Sequence, residues 1–115
     1  MNFGILGEAK IAREHVVPAI LNAGHKVTHV GRRIPGQVGL PEIYGNAIET
    51  DYETLINEPS VDAIYNPLPN HLHVPYSIEA LKADKHVLCE KPVALNLDEL
   101  SQLENAAKDS KAFFY

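Results

Sequence analysis

The chain has 115 residues, 45% hydrophobic and 22% charged, which is the size of one domain with enough apolar material for a core and argues against disorder. A formal net charge of −5 argues against a nucleic-acid partner or an anionic membrane surface, and no apolar run reaches the length of a membrane span. One cysteine, Cys89, rules out an intrachain disulfide, and the first residues lack the charged start and long apolar stretch of a signal peptide, so a cytoplasmic protein is expected.

Phe3 to Leu6 is a short apolar run that reads as a strand. Gly7-Glu8-Ala9-Lys10 follows, and Ile11, Ala12 and Val16 have near-helical spacing. Pro18 is expected to interrupt this helix and open a second piece through Ile20 and Leu21, with Gly24 as its end. Val27 to Val30 is a second strand, with Gly31-Arg32-Arg33 at its carboxyl end. Residues 34–46 are loop-like, rich in glycine and proline. Asp51 can cap a short helix carrying Leu55 and Ile56, which Pro59 ends. Val61, Ala63, Ile64 and Tyr65 form the next strand, closed by Pro67-Leu68-Pro69-Asn70. A helix is predicted from about His73 to Ala83, and Asp84 takes the left-handed position that usually suits glycine. His86 to Cys89 is a strand, stopped by Glu90-Lys91-Pro92. Asn96 and Glu99 have capping-box spacing before a helix carrying Leu100, Leu103 and Ala107. Ala112 to Tyr115 starts another strand.

Strands alternating with helices imply a doubly wound parallel sheet with right-handed crossovers, read as one domain over 1–115. An apolar strand at Tyr115 suggests a piece of a longer protein, with exposed apolar surface and self-association as the expected result.

Gly7, Ala9 and Ala12 stand where a dinucleotide fingerprint stands, after the first strand and at the start of the first helix. Gly7 permits the tight turn, Ala9 lets backbone approach a pyrophosphate, and Ala12 packs helix on strand. Lys10 and Ile11 complete the loop, whose free N–H groups face phosphate. Glu8 works against this. A carboxylate 4–6 Å from pyrophosphate costs roughly 1–4 kcal/mol unless it points to solvent or Lys10 offsets it. At the end of strand two, an NAD site usually carries an acid for the ribose, and an NADP site an arginine. Gly31, Arg32 and Arg33 present no acid in sequence, which predicts a preference for NADP over NAD. Pro67 and Pro69, on either side of Leu68, fix a rigid turn over which a nicotinamide ribose can lie, and Asn70 can bond the cofactor or cap the next helix. His71 and His73 straddle a helix start without a completing carboxylate or cysteine cluster, so no metal site is expected. Cys89, inside an apolar strand, reads as an inert thiol.

With these residues in place, the chain resembles the N-terminal cofactor domain of the glucose-fructose oxidoreductase / inositol dehydrogenase family, also called Gfo/Idh/MocA. The matching segments are Gly4-Ile5-Leu6-Gly7 with Lys10-Ile11-Ala12, Gly31-Arg32, Pro69-Asn70-His71-Leu72-His73, and Lys85 through Pro92. Ala9, Glu8 and Asp84 depart from the usual pattern. The resemblance implies a Rossmann-type α/β fold, with a C-terminal substrate domain absent from this chain. It implies an NAD(P)-dependent oxidoreductase for a sugar, polyol or dihydrodiol, in a homo-oligomer. It further implies that Lys91 binds the substrate hydroxyl and the nicotinamide ribose and moves a proton, that Glu90 helps to place it, that a cis peptide precedes Pro92, and that Glu90, Pro92 and His73 join the cofactor site. The alternative is a stand-alone nucleotide-binding or regulatory module without catalysis.

Overall fold

The computed structural model describes residues 1–36 and 39–115; Gln37 and Val38, within the segment read as loop, lie outside the described residues. Five strands form one parallel sheet: β1 (Asn2–Leu6), β2 (Lys26–Gly31), β3 (Ile48–Thr50), β4 (Ala63–Asn66) and β5 (His86–Cys89). Their spatial order is β3-β2-β1-β4-β5. The chain winds outward from β1 to β3, then returns to the other side of β1 at β4. The reversal between β1 and β4 is the point where such Rossmann-type sheets open a crevice at the strands' carboxyl ends. A parallel bridge from Val87 to Phe114 extends the sheet beyond β5, as the run Ala112–Tyr115 predicts.

The strands are apolar because both faces are covered. Side chains alternate across β1 and β4. Ile5 and Tyr65 join Val17, Ile20 and Val30 on one face, while Leu6 and Ile64 join Leu55, Leu81 and Leu103 on the other. The first face is covered by α1 (Val17–Asn22), the second by α2 (Tyr52–Ile56), α3 (His73–Lys82) and α4 (Leu97–Asp109). Two helix starts follow their sequence signals. Asp51 Oδ1 accepts from Thr54 N at 2.7 Å, and Asn96 Oδ1 accepts from Glu99 N at 2.9 Å. Asp84 adopts φ +57°, the left-handed end expected for α3.

One expectation changes in part. Pro18 opens α1 in its first turn, as expected, but does not end the helix before it. A π-helical stretch, Ala12–Val16, runs directly into α1, and Val17 N bonds to Ala12 O. Proline lacks an N–H and its ring collides with the carbonyl four residues back. A wider turn just before it relieves that collision without ending the helix. The strand β3 is absent from the sequence reading, because its three residues at the sheet edge are too few to show an alternation. Among the described residues, no helix is long and apolar enough to cross a membrane.

The packing predicts a contrast between two leucines. Leu81 is fully buried and Leu97 is 83% exposed. In urea denaturation, Leu81→Ala should cost about 2–5 kcal/mol, whereas Leu97→Ala should stay within about 0.5 kcal/mol.

Candidate functional site

The ladder register brings four chain exits together at one edge. Leu6 pairs with Gly31, Gly31 with Thr50, Ile5 with Tyr65 and Asn66 with Cys89. Gly7, Arg32, the Pro67–Asn70 turn and Lys91 therefore leave from neighbouring strand ends. Gly7 has φ +81°, a backbone state that side chains disfavour, and its N–H bonds Gly31 O at 2.7 Å. A Cβ at Gly7 would lie 3.1 Å from Leu68 Cδ2, and one at Gly31 only 2.9 Å from Tyr52 Cδ1. The two glycines thus let neighbouring side chains, Leu68 and Tyr52, pack directly against the backbone at the ends of β1 and β2. Ala12 is fully buried and seats the first helix on β1 and β2. Lys10 and Ile11 are exposed, and Ala9 is half-buried against the same cluster. Arg13 N bonds Ala9 O at 3.1 Å, so the N–H groups of the preceding turn have no acceptor within the helix. That arrangement suits an anion.

The charge balance differs from the sequence expectation. Glu8 is not offset by Lys10, which lies 4.0 Å from Glu14. Instead Arg13 Nη1 meets Glu8 Oε1 at 2.7 Å, and Arg32 Nη2 lies 3.9 Å from Glu8 Oε2. The helical turn between residues 8 and 13 puts Arg13 where Lys10 cannot reach. An acid also stands beside Arg32 although none is near it in sequence. Glu49 Oε1, on β3, lies 3.8 Å from Arg32 Nε and accepts from Gly36 N at 2.7 Å. The pairing of β2 with β3 supplies it, through Val30 against Glu49. Arg33 is exposed. A left-handed glycine turn, a free first helical turn and two arginines that already neutralise Glu8 fit a dinucleotide with an additional phosphate.

At the other end of the crevice, Lys91 is exposed, and no hydrogen bond or ion pair of its side chain occurs among the described residues. Its neighbours are held. Glu90 N bonds Asn66 O at 3.1 Å, and Tyr65 Oη donates to Glu90 Oε1 at 2.6 Å. The Lys91–Pro92 peptide is cis, as the resemblance implies. Pro92 itself is exposed, and its carbonyl accepts from His73 Nδ1 at 2.6 Å. His73, grouped by the sequence with cofactor-binding residues, is 1% exposed and lies beneath this turn. Leu68 is buried, while Pro69 and Asn70 are exposed at the crevice. Asn70 does not cap α3 with its side chain; a 3-10 turn, Asn70–Leu72, leads into that helix instead. Burial pushes the Cys89 thiol up, and Sγ donates to Glu90 O at 3.4 Å, in keeping with an unreactive thiol.

Sequence reasoning missed Arg13, Glu49, Asn66 and Tyr65. The first is signalled only by its distance of five residues from Glu8. The others become neighbours of the site through parallel register, which single-strand patterns do not encode.

Three of the five tyrosines should resist alkali. Burial, aided by the Glu8 carboxylate, pushes Tyr44 up to about 12. Burial and then the bond to Glu90 push Tyr65 far above the ordinary phenol range, and burial also raises Tyr52. The unfolded chain gives up these protons near pH 10, whereas the fold retains them, so stability should fall as pH rises above that value. Ultraviolet titration should show a late phenolate phase, reduced in Tyr65→Phe and Tyr44→Phe.

Comparison with known proteins agrees with this fold. A family model described as oxidoreductase family, NAD-binding Rossmann fold (GFO_IDH_MocA) matches residues 1–115. An uncharacterised oxidoreductase of Rhizobium meliloti is 42% identical over 111 residues, covering 90% of this chain and 32% of that protein. A D-xylose 1-dehydrogenase (NADP(+)) of Haloferax volcanii is 35% identical, covering 100% of this chain and 38% of that protein. Among solved structures, a 3-ketoreductase from Actinomadura kijaniata in complex with TDP-benzene and NADP superposes with a TM-score of 0.86 at 31% identity. It covers 96% of this chain and 35% of its own. The chain thus spans about a third of the length of the curated relatives it matches.

Proposed function

The chain belongs to the oxidoreductase family with an NAD-binding Rossmann fold, and on that premise we propose that it is the cofactor-binding part of an NADP(H)-dependent oxidoreductase. The substrate class is a sugar, polyol or dihydrodiol, reacting at a C–OH or C=O carbon. The observation that carries this reading is the left-handed Gly7 turn bonded to Gly31 O, with Arg32 beside it and an exposed Lys91 at the same sheet edge.

Gly7, Ala9, Lys10, Ile11 and Ala12 would hold the pyrophosphate through backbone N–H groups. Gly31, Arg32 and Arg33 would hold the adenosine end, where NADP differs from NAD by one phosphate. That phosphate competes with Glu8 and Glu49 for Arg32. It carries close to two negative charges and accepts bidentate bonds, so it can displace either carboxylate. Leu68, Pro69 and Asn70 would support the nicotinamide ribose, together with Glu90, Lys91 and Pro92. When bound, the cofactor accepts or supplies the hydride.

Lys91 does the proton work. In oxidation its amine takes the proton from the substrate hydroxyl; in reduction its ammonium returns one to the new alkoxide oxygen. Glu90 orients it and touches no substrate. The same reading carries a small carbohydrate-like substrate, a cytoplasmic setting and a homo-oligomer.

Calorimetric titration of this chain should show tighter binding of NADP+ than of NAD+. Arg32→Ala should weaken NADP+ binding by about tenfold, roughly 1.4 kcal/mol, and leave NAD+ binding nearly unchanged. Tighter NAD+ binding by the wild type would overturn the cofactor preference. In the full-length enzyme, Lys91→Met should lower oxidoreductase turnover by about 100-fold or more while cofactor affinity falls far less; wild-type turnover in that variant would remove Lys91 from the mechanism.

A further inference from the structure

We propose that Tyr65 and His73 are positioning residues for Lys91, acting by fixing the residue on each side of it. The inference rests on the role proposed above for Lys91. Tyr65 sits in the apolar cluster beneath α1 with 1% exposure, and its ring would be equally well buried as phenylalanine. Its hydroxyl leaves that cluster at one point, 2.6 Å from Glu90 Oε1. His73 opens α3 on the opposite face of the sheet, also with 1% exposure. Its Nδ1 meets a carbonyl oxygen, Pro92 O, so that nitrogen carries the hydrogen. Nε2 is buried without a hydrogen-bond partner among the described residues. An imidazole is costly to bury half-satisfied, and the bond it does make falls on the residue after Lys91.

The two anchors are themselves held. Asn66 Nδ2 donates to His73 O at 3.0 Å and to Ser77 Oγ at 3.1 Å, which fixes the start of α3. Glu90 N bonds Asn66 O, which ties the same residue to the strand after β4. The chain on either side of Lys91 is thus gripped from both faces of the sheet, and the exposed lysine lies between the two anchors. A proton donor displaced by about 1 Å can lose about 100-fold in rate. Anchors that prevent this are supporting groups rather than reacting ones.

The test uses this chain, NADP+ as the probe and backbone amide NMR as the readout. In the wild type, NADP+ should shift the amides of residues 7–12 and of Lys91, and the Lys91 amide should be rigid, with an order parameter near 0.85. In Tyr65→Phe and in His73→Leu the loop shifts should persist, while the Lys91 order parameter falls below about 0.6. His73→Asn, whose amide nitrogen can take the place of Nδ1, should restore rigidity. In a longer parent protein that includes the substrate domain, turnover should follow the same pattern, with kcat down about tenfold in Tyr65→Phe and KM for the cofactor unchanged. A Lys91 amide that stays rigid in Tyr65→Phe and His73→Leu overturns the proposal, as does His73→Asn behaving like His73→Leu. If His73→Leu does not fold, Tyr65→Phe and His73→Asn still decide it. Loop amides that ignore NADP+ in the wild type would remove the functional reading alone, because the rigidity of Lys91 in the variants is measured without cofactor.

Discussion

A fully buried asparagine cannot leave its amide unpaired, and Asn66 meets that demand by joining four parts of the chain. Its amide nitrogen bonds the first carbonyl of α3 and the Ser77 hydroxyl, and its side-chain oxygen accepts from Leu68 N at 3.2 Å. Its backbone carbonyl receives Glu90 N. The end of β4, the Pro67–Asn70 turn, the start of α3 and the residue before Lys91 are therefore one connected polar unit inside an apolar sandwich. Disrupting it would strand several buried groups at once, each worth about 1–3 kcal/mol. The crevice owes its shape on this side to that unit.

The opposite side is organised by charge. Glu8 is an unusual residue for a phosphate loop, and it is accommodated by making it a partner rather than by turning it away. Arg13 holds one of its oxygens and Arg32 stands near the other, while Glu49 approaches Arg32 from the neighbouring strand. These partly exposed pairs contribute little to stability, about 0–1 kcal/mol each. Their larger effect is on what enters. An incoming phosphate exchanges one set of charge partners for another, so affinity at this end should depend strongly on ionic strength.

Local chemistry was the legible part. The strand His86–Cys89, the caps at Asp51 and Asn96, the left-handed Asp84 and the Gly7 turn each depend on residues within a few positions of one another. The order of fold and cofactor features follows from them. What escaped were contacts made by the sheet itself. Glu49 reaches Arg32 only because β3 lies beside β2, and Tyr65 reaches Glu90 only because β4 lies beside β5. Parallel strands are joined by long crossovers, so such partners are 17 and 25 residues apart in sequence. Pro18 was legible in part: it opens α1 as its local rule predicts, but the neighbouring turn absorbs it without ending the helix.

That turn has a consequence for comparing sequences. Five residues of Ala12–Val16 fill one wide loop of helix where a regular loop takes fewer. A homologous chain one residue shorter there can close an ordinary helix and still present its phosphate turn and its buried Val17 position to the same sheet. The spacing between the glycine turn and β2 is therefore an elastic ruler. A single gap in an alignment across this helix marks a change in winding, with the cofactor edge left in register.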